Sequence, residues 1–152
     1  MRIAYKKGEH ASVNEGALRA LKPGEIRIQL DACGVCGTDL HLVPGVEPRE
    51  EPFGHEMAGT VLECGPGVVS HKPGMKVAVE SSAPCGWCSA CHDGRQEFCT
   101  NVQSFFCGGT YGFADEAIVP AITALPAEGL DPAIASLSEP LGVAIDMFRL
   151  SD

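Results

Sequence analysis

Basic residues are scarce in this chain. Eleven Lys and Arg stand against 20 Asp and Glu, for a formal charge of −9. Neutralising nucleic-acid phosphates takes clustered cations, so a general nucleic-acid binder is excluded. The acidic balance reads as solubility. Long apolar runs are missing too. No stretch reaches the roughly 18 residues of a membrane helix, so no membrane partner is expected. The opening MRIAYKKGEH has no apolar core of a secretory signal. The expectation is a soluble, cytoplasmic protein. Repeats and low-complexity tracts are absent. So is the dinucleotide fingerprint G-x-G-x-x-G. GPGVVS at residues 65–70 comes nearest, but it ends in Ser and precedes no helical pattern.

What is present fits one domain able to bury a core: 152 residues, 45% of them hydrophobic. Eighteen Gly and 11 Pro point to many turns between short strands. EIRIQLDA at 25–32 alternates, with Ile26, Ile28 and Leu30 on one face. MAGTVLECG (57–65) and KVAVES (76–81) read as further strands, joined by a loop with turns at both ends. Another strand is expected through Ala117, Ile118 and Val119. Near the end the period turns helical. Asp131 can cap and Pro132 suits the first turn. Pro140 should break or restart the helix, and Leu141, Ala144, Ile145 and Phe148 resume its spacing. Many strands and one helical segment fit a β-barrel or sandwich with a few helices, not alternating βαβ units.

Eight cysteines without a secretion signal are more often metal ligands or catalytic groups than disulfides. Cys85, Cys88, Cys91 and Cys99 have the spacing C-x2-C-x2-C-x7-C. Four thiolates within 15 residues can close a tetrahedron on Zn²⁺ with no open position, which makes the site structural. Gly86 and Gly94 permit tight turns around it. A ferredoxin cluster would take a last gap of three and a following Pro. A thioredoxin-like reading of CGWC lacks its βαβ context. A zinc deaminase would need H-x-E, and none of the five His has Glu two residues on.

A second group is more scattered. GHE at 54–56 is not H-E-x-x-H, because residue 59 is Gly, so the helical metalloprotease reading fails. Cys36 lies 19 residues earlier, in CGVCGTDLH, and Glu139 lies far downstream, in SEPLG. Alone, His41 reads as a solvated histidine and Glu139 as a helix-start carboxylate.

Together, CGVCGTDLH, PFGHEMAGTV, the four-cysteine lobe and SEPLG, in that order, resemble the zinc-dependent medium-chain alcohol dehydrogenase family. The likeness is strongest to its polyol, threonine and secondary-alcohol dehydrogenases, and it runs along nearly all 152 residues. It implies a GroES-like, partly open β-barrel catalytic domain over 1–152, with a structural-zinc lobe at about 84–100. It implies that Cys36 and His55 ligate a catalytic zinc. Glu56 is the adjacent carboxylate on the zinc or its water, and Glu139 is a carboxylate at or near the ion. Thr38 matches the hydroxyl that bonds the substrate oxygen, His41 the outer end of a proton relay, and Asp39 the carboxylate that orients the zinc-bound His. The chemistry implied is an alkoxide on zinc, from a small alcohol or polyol, passing a hydride to NAD or NADP. Homo-oligomers are implied for a full-length protein.

The family places a Rossmann domain after this one, and the chain stops where it would begin. Two readings stay open at this point: the catalytic portion of a zinc-dependent dehydrogenase, inactive by itself, or a stand-alone zinc-binding module without redox chemistry. In either case an apolar face around Leu141, Ile145 and Phe148 is expected to be bare and to invite self-association. Cys33, Cys64 and Cys107 are left as ordinary small side chains.

Overall fold

The computed structural model describes residues 1–40, 50–104 and 112–151. A five-stranded antiparallel sheet carries the core, in the order β10-β6-β5-β3-β9. Its strands are β3 (Glu25–Gly34), β5 (Glu56–Cys64), β6 (Lys76–Val79), β9 (Glu116–Pro120) and β10 (Ala124–Pro126). A smaller sheet pairs β1 (Arg2–Lys7) with β2 (His10–Glu15) on one side and β4 (Glu51–Pro52) on the other. The two sheets meet at a bridge between Ile3 and Ala114. Both are open, and no closed barrel forms among the described residues.

The alternation in β3 does what its period demands. Ile26 and Ile28 are fully buried and pack with Met57, Val61, Val77, Val79, Ala117 and Val119. Leu30 is only half-buried, because the strand is bulged there. Leu30 pairs with Gly59 and Ala32 with Ala58, which leaves Asp31 as the extra residue. An earlier shift, between Arg27 and Ile28, puts the extra residue in β5 instead. The expected third strand stops at Val79, and the chain bends at Ser81.

β5 is central and loses its alternation: Glu56 through Gly59 are all buried. Its second face is covered by α3 (Pro132–Ser136), where Ala58, Ala78, Ala127 and Ala135 form a small-residue cluster. Helix α3 begins as its sequence requires, with the Asp131 side chain accepting from Ala133 N at 2.9 Å and Pro132 next in line. The break comes at Leu137, not at Pro140. Pro140 sits in the first turn of α4 (Ser138–Leu150), where its missing N–H has no partner to lose. On α4, Leu141, Ile145 and Phe148 are 60, 49 and 78% exposed, so the expected bare face is present.

The Cys-rich lobe is set apart from the core. It holds a short two-stranded ribbon, β7 (Ser82–Ala83) with β8 (Gln103–Ser104), then one turn of helix, α2 (Ser89–His92), and a 3₁₀ turn at Gln96–Phe98. No helix among the described residues is long and apolar enough to cross a membrane.

Ile28 lies at the middle of the β5-β3-β9 packing. Ile28→Ala is expected to lower the unfolding free energy by about 2–5 kcal/mol, as a cavity-forming core truncation, read by urea denaturation.

Candidate metal centres

The lobe brings its four cysteines together. Their sulfurs all lie within 4.8 Å of one another. Cys88 and Cys91 are 3.5 Å apart, Cys85 and Cys91 3.9 Å, and Cys88 and Cys99 4.0 Å. These are far too long for disulfides. A tetrahedron with Zn–S bonds of about 2.3 Å has edges of about 3.8 Å, so the donor set fits that ion. Backbone N–H groups also aim at the sulfurs. Cys85 N and Asn101 N donate to Cys99 Sγ at 3.2 and 3.4 Å. Amide donors from Cys91 and Thr100 draw the Cys88 thiol down to about 6. Such donors stabilise thiolates. Gly86 and Gly94 hold φ of 77° and 75°, the left-handed turns that wrap the chain around the cluster. Burial pushes Cys91 up to about 12, and the neighbouring thiols push it further in the same direction. A cation at this cluster would let all four sulfurs be thiolates together.

The second cluster is assembled from distant pieces. A sulfur of Cys36, a ring nitrogen of His55 and a carboxylate oxygen of Glu56 lie within 4.8 Å of one another. Cys36 follows the end of β3, and His55 and Glu56 open β5. The last pair in the β3–β5 ladder is Gly34 opposite Glu56. A Cβ at Gly34 would land on Glu56 Oε2, so the glycine makes room for the carboxylate. Gly54, at φ 97°, turns the chain into β5, and Phe113 packs where its Cβ would be.

Behind the cluster stands Asp39, in the single helical turn α1 (Gly37–Leu40). Its Oδ2 accepts from Cys36 N at 3.0 Å, and its Oδ1 faces His55 Nδ1 at 3.5 Å. Both side chains are buried. One carboxylate therefore ties two candidate ligands to each other. Thr38 Oγ1 lies 3.5 Å from His55 Nε2, on the other edge of the ring.

Burial raises the Glu56 carboxyl above the usual range, and the charge of Glu139 raises it further. Glu139 is thus a neighbour, yet it stands outside the three-donor cluster. Its Oε1 accepts from Ser81 Oγ at 2.9 Å. Ser81 was not singled out by sequence, because KVAVES reads as a strand through that position. Cys33, three residues before Cys36, is half-buried against the core. Burial pushes its thiol up to about 12, with Asp39 and Glu56 adding to the effect. His41 and Cys107 lie outside the described residues.

Residues 22–129 match the alcohol dehydrogenase GroES-like domain. The chain belongs to the zinc-dependent medium-chain alcohol dehydrogenase family. It is 40% identical over 149 residues to an L-threonine 3-dehydrogenase of Pyrococcus horikoshii, covering 93% of this chain and 42% of that protein. It is 33% identical over 128 residues to an L-galactonate-5-dehydrogenase of Escherichia coli, covering 82% and 38%. Among solved structures, an alcohol dehydrogenase of E. coli CFT073 in complex with NADH superposes with a TM-score of 0.83 at 30% identity, covering 95% of this chain and 44% of that one. A protein described as a zinc-binding dehydrogenase of Sinorhizobium meliloti, bound to NADP, gives 0.82 at 29%, covering 98% and 45%. This member of the family therefore corresponds to its GroES-like catalytic domain, and the chain spans about two fifths of the length of these relatives.

The Gly34–Glu56 contact can be tested without metal. Gly34→Ala is expected to destabilise the fold by about 1–3 kcal/mol through overpacking. Adding Glu56→Ala should recover most of that loss, because it removes the atoms that the new Cβ strikes. Unfolding free energies of the two single variants and the double variant give the coupling.

Proposed function

We propose that this chain carries the catalytic centre of an NAD(P)-dependent alcohol or polyol dehydrogenase, with one catalytic and one structural zinc. The observation that supports this most is the Cys36–His55–Glu56 cluster, with His55 and Glu56 buried, Cys36 half-buried and Asp39 behind it, separate from a four-cysteine cluster that already supplies four donors. The lobe residues Cys85, Cys88, Cys91 and Cys99 would hold the structural ion. One thiolate, one imidazole and one carboxylate would hold the other and leave a position for substrate. A zinc ion there supplies Lewis-acid polarisation, which makes an alcohol proton acidic near neutral pH.

The chain's own residues supply the rest. Asp39 accepts the Nδ1 proton of His55, so Nε2 presents its lone pair. Thr38 holds its hydroxyl at that same edge, placed to bond a substrate oxygen and take part in moving its proton. His41 is the proposed outer end of that path, by its match to the family pattern. Glu139 lies beside the cluster as a second carboxylate. The nicotinamide would be presented by a nucleotide-binding domain of a longer protein, against the bare face of α4. That domain also sets the choice of NAD or NADP. The whole protein is proposed to be a cytoplasmic homo-oligomer. The seven free cysteines among the described residues suit a reducing compartment.

Metal analysis of the purified chain is expected to give two zinc ions. Cys33→Ala should keep both and Cys36→Ala should lose one; a single ion in the unmodified chain would remove the catalytic site from this reading. The 152-residue chain alone is expected not to reduce NAD(P) with alcohols, and robust turnover would count against the need for a further domain. It should also associate as concentration rises in analytical ultracentrifugation, with Phe148→Glu relieving the association.

A further inference from the structure

We infer that Lys6 is a positioning residue of the candidate catalytic centre: from the smaller sheet, its ammonium group braces the two segments that meet at His55, holding the α1 turn by its carbonyls and the approach to β5 by the Phe53 ring. Its bearing on a metal rests on the metal-site reading above.

Lys6 is half-buried in β1, one position from the end of the strand. Its backbone lies opposite Glu51 of β4, and that of Tyr5 opposite Pro52. From β4 the chain runs through Phe53 and Gly54 straight to His55. Lys6 therefore starts from backbone already tied to one side of the cluster. Its Nζ lies 5.8 Å from the centre of the Phe53 ring, within the range of a cation–aromatic attraction. That ring packs in turn on Phe113, with centroids 4.9 Å apart.

The same Nζ reaches the other side. It donates to Asp39 O at 3.2 Å and to Thr38 O at 3.4 Å, across 33 and 32 residues of chain. These are the two residues whose side chains bracket the His55 ring. Asp39 Oδ1 faces Nδ1 and Thr38 Oγ1 faces Nε2, each at 3.5 Å. Asp39 also accepts from Cys36 N. A turn of four residues has little cooperative hydrogen bonding of its own, so what holds it from outside matters. An ammonium group can hold two carbonyls at once, because it carries three donors on one atom. Hydrogen bonds from a charged donor are the stronger kind. The β3–β5 ladder fixes the backbone only as far as Gly34 opposite Glu56. Lys6 connects the segments that lie past that pair.

The test compares the unmodified chain with Lys6→Met, which keeps an apolar stem and removes the donors and charge, with Lys6→Arg, and with Lys7→Met, which removes the exposed charge next to it on the same strand. Amide hydrogen exchange by NMR reads the brace. In Lys6→Met the amides of Cys36 and Asp39 should exchange about tenfold faster, the scale of one lost charge-assisted hydrogen bond, while those of Ile26 and Ile28 in the core keep their rates. Cobalt reads the consequence. In chelator competition, Lys6→Met should bind Co²⁺ at the Cys36–His55–Glu56 cluster about tenfold more weakly, the usual scale for loosening what orients a ligand, with the four-cysteine site unchanged. Lys6→Arg keeps a cation that can donate to carbonyls and lie on an aromatic ring, so both readouts should stay within about threefold. Lys7→Met should leave both unchanged. Unaltered exchange at Cys36 and Asp39 in Lys6→Met overturns the inference, and so does equal acceleration at Ile26 and Ile28, or the same effect from Lys7→Met. Faster exchange with unaltered cobalt affinity overturns the positioning role. In all of these the metal-site reading stands. If the unmodified chain takes up only one cobalt ion, that reading falls and the positioning role with it.

Discussion

The Cys36–His55–Glu56 cluster depends on the register between β3 and β5. The ladder runs from Ile26 opposite Cys64 to Gly34 opposite Glu56. At one end it buries Ile26 and Ile28, and at the other it opens onto Cys36, His55 and Glu56. A slip of one residue would turn the isoleucines out of the core and carry Glu56 to the other face, away from Cys36. Core and site are therefore specified by the same hydrogen bonds. The two bulges belong to this constraint. One adds a residue to β5 and the other adds Asp31 to β3, so the ladder bends twice and ends with a glycine facing the carboxylate. Bulges that re-aim side chains at functional sites are a general device of sheets.

Asp39 extends the constraint from backbone to side chains. Its two oxygens serve two members of the cluster: one accepts from the Cys36 backbone and the other faces the His55 ring. A buried carboxylate is costly unless it is well paired, so this placement has few alternatives. It fixes the end of β3 relative to the start of β5 at the point where the ladder stops. The glycines around it, Gly34 and Gly54, have no side chains because Glu56 and Phe113 occupy that space.

Much of this was legible in the residues, for uneven reasons. The lobe was readable because its four cysteines fall within 15 residues, and the structure brings their sulfurs together. The strands were readable where one face is apolar, as in β3. β2 was not individually readable, because it is exposed on both faces and carries no alternation. β5 is buried along its first half on both faces, so its run of apolar residues said strand but not which layer covered it. That layer is α3, whose contact is made by alanines too common to stand out. Cys36, His55 and Glu56 could be grouped only through family order, since no short spacing links them. Ser81 left no signal at all. Its hydrogen bond to Glu139 joins the bend that follows β6 to a helix that arrives 58 residues later.

The two centres therefore stand on different physics. The lobe's four cysteines are close in sequence, they lie outside the main core, and their sulfurs are within 4.8 Å of one another. On the zinc reading, the order of the lobe would be coupled to metal binding. The other cluster joins residue 36 to residues 55 and 56, a grouping that exists only once β3 and β5 are paired. Its loop-closure cost is met by the burial of the isoleucine and valine core, not by an ion. On the proposed reading, a site of this second kind could keep an incomplete donor set, because metal binding is not what would hold it together. Three protein donors and an open position would be tolerable where the sheet enforces the geometry, whereas the lobe would need all four of its cysteines.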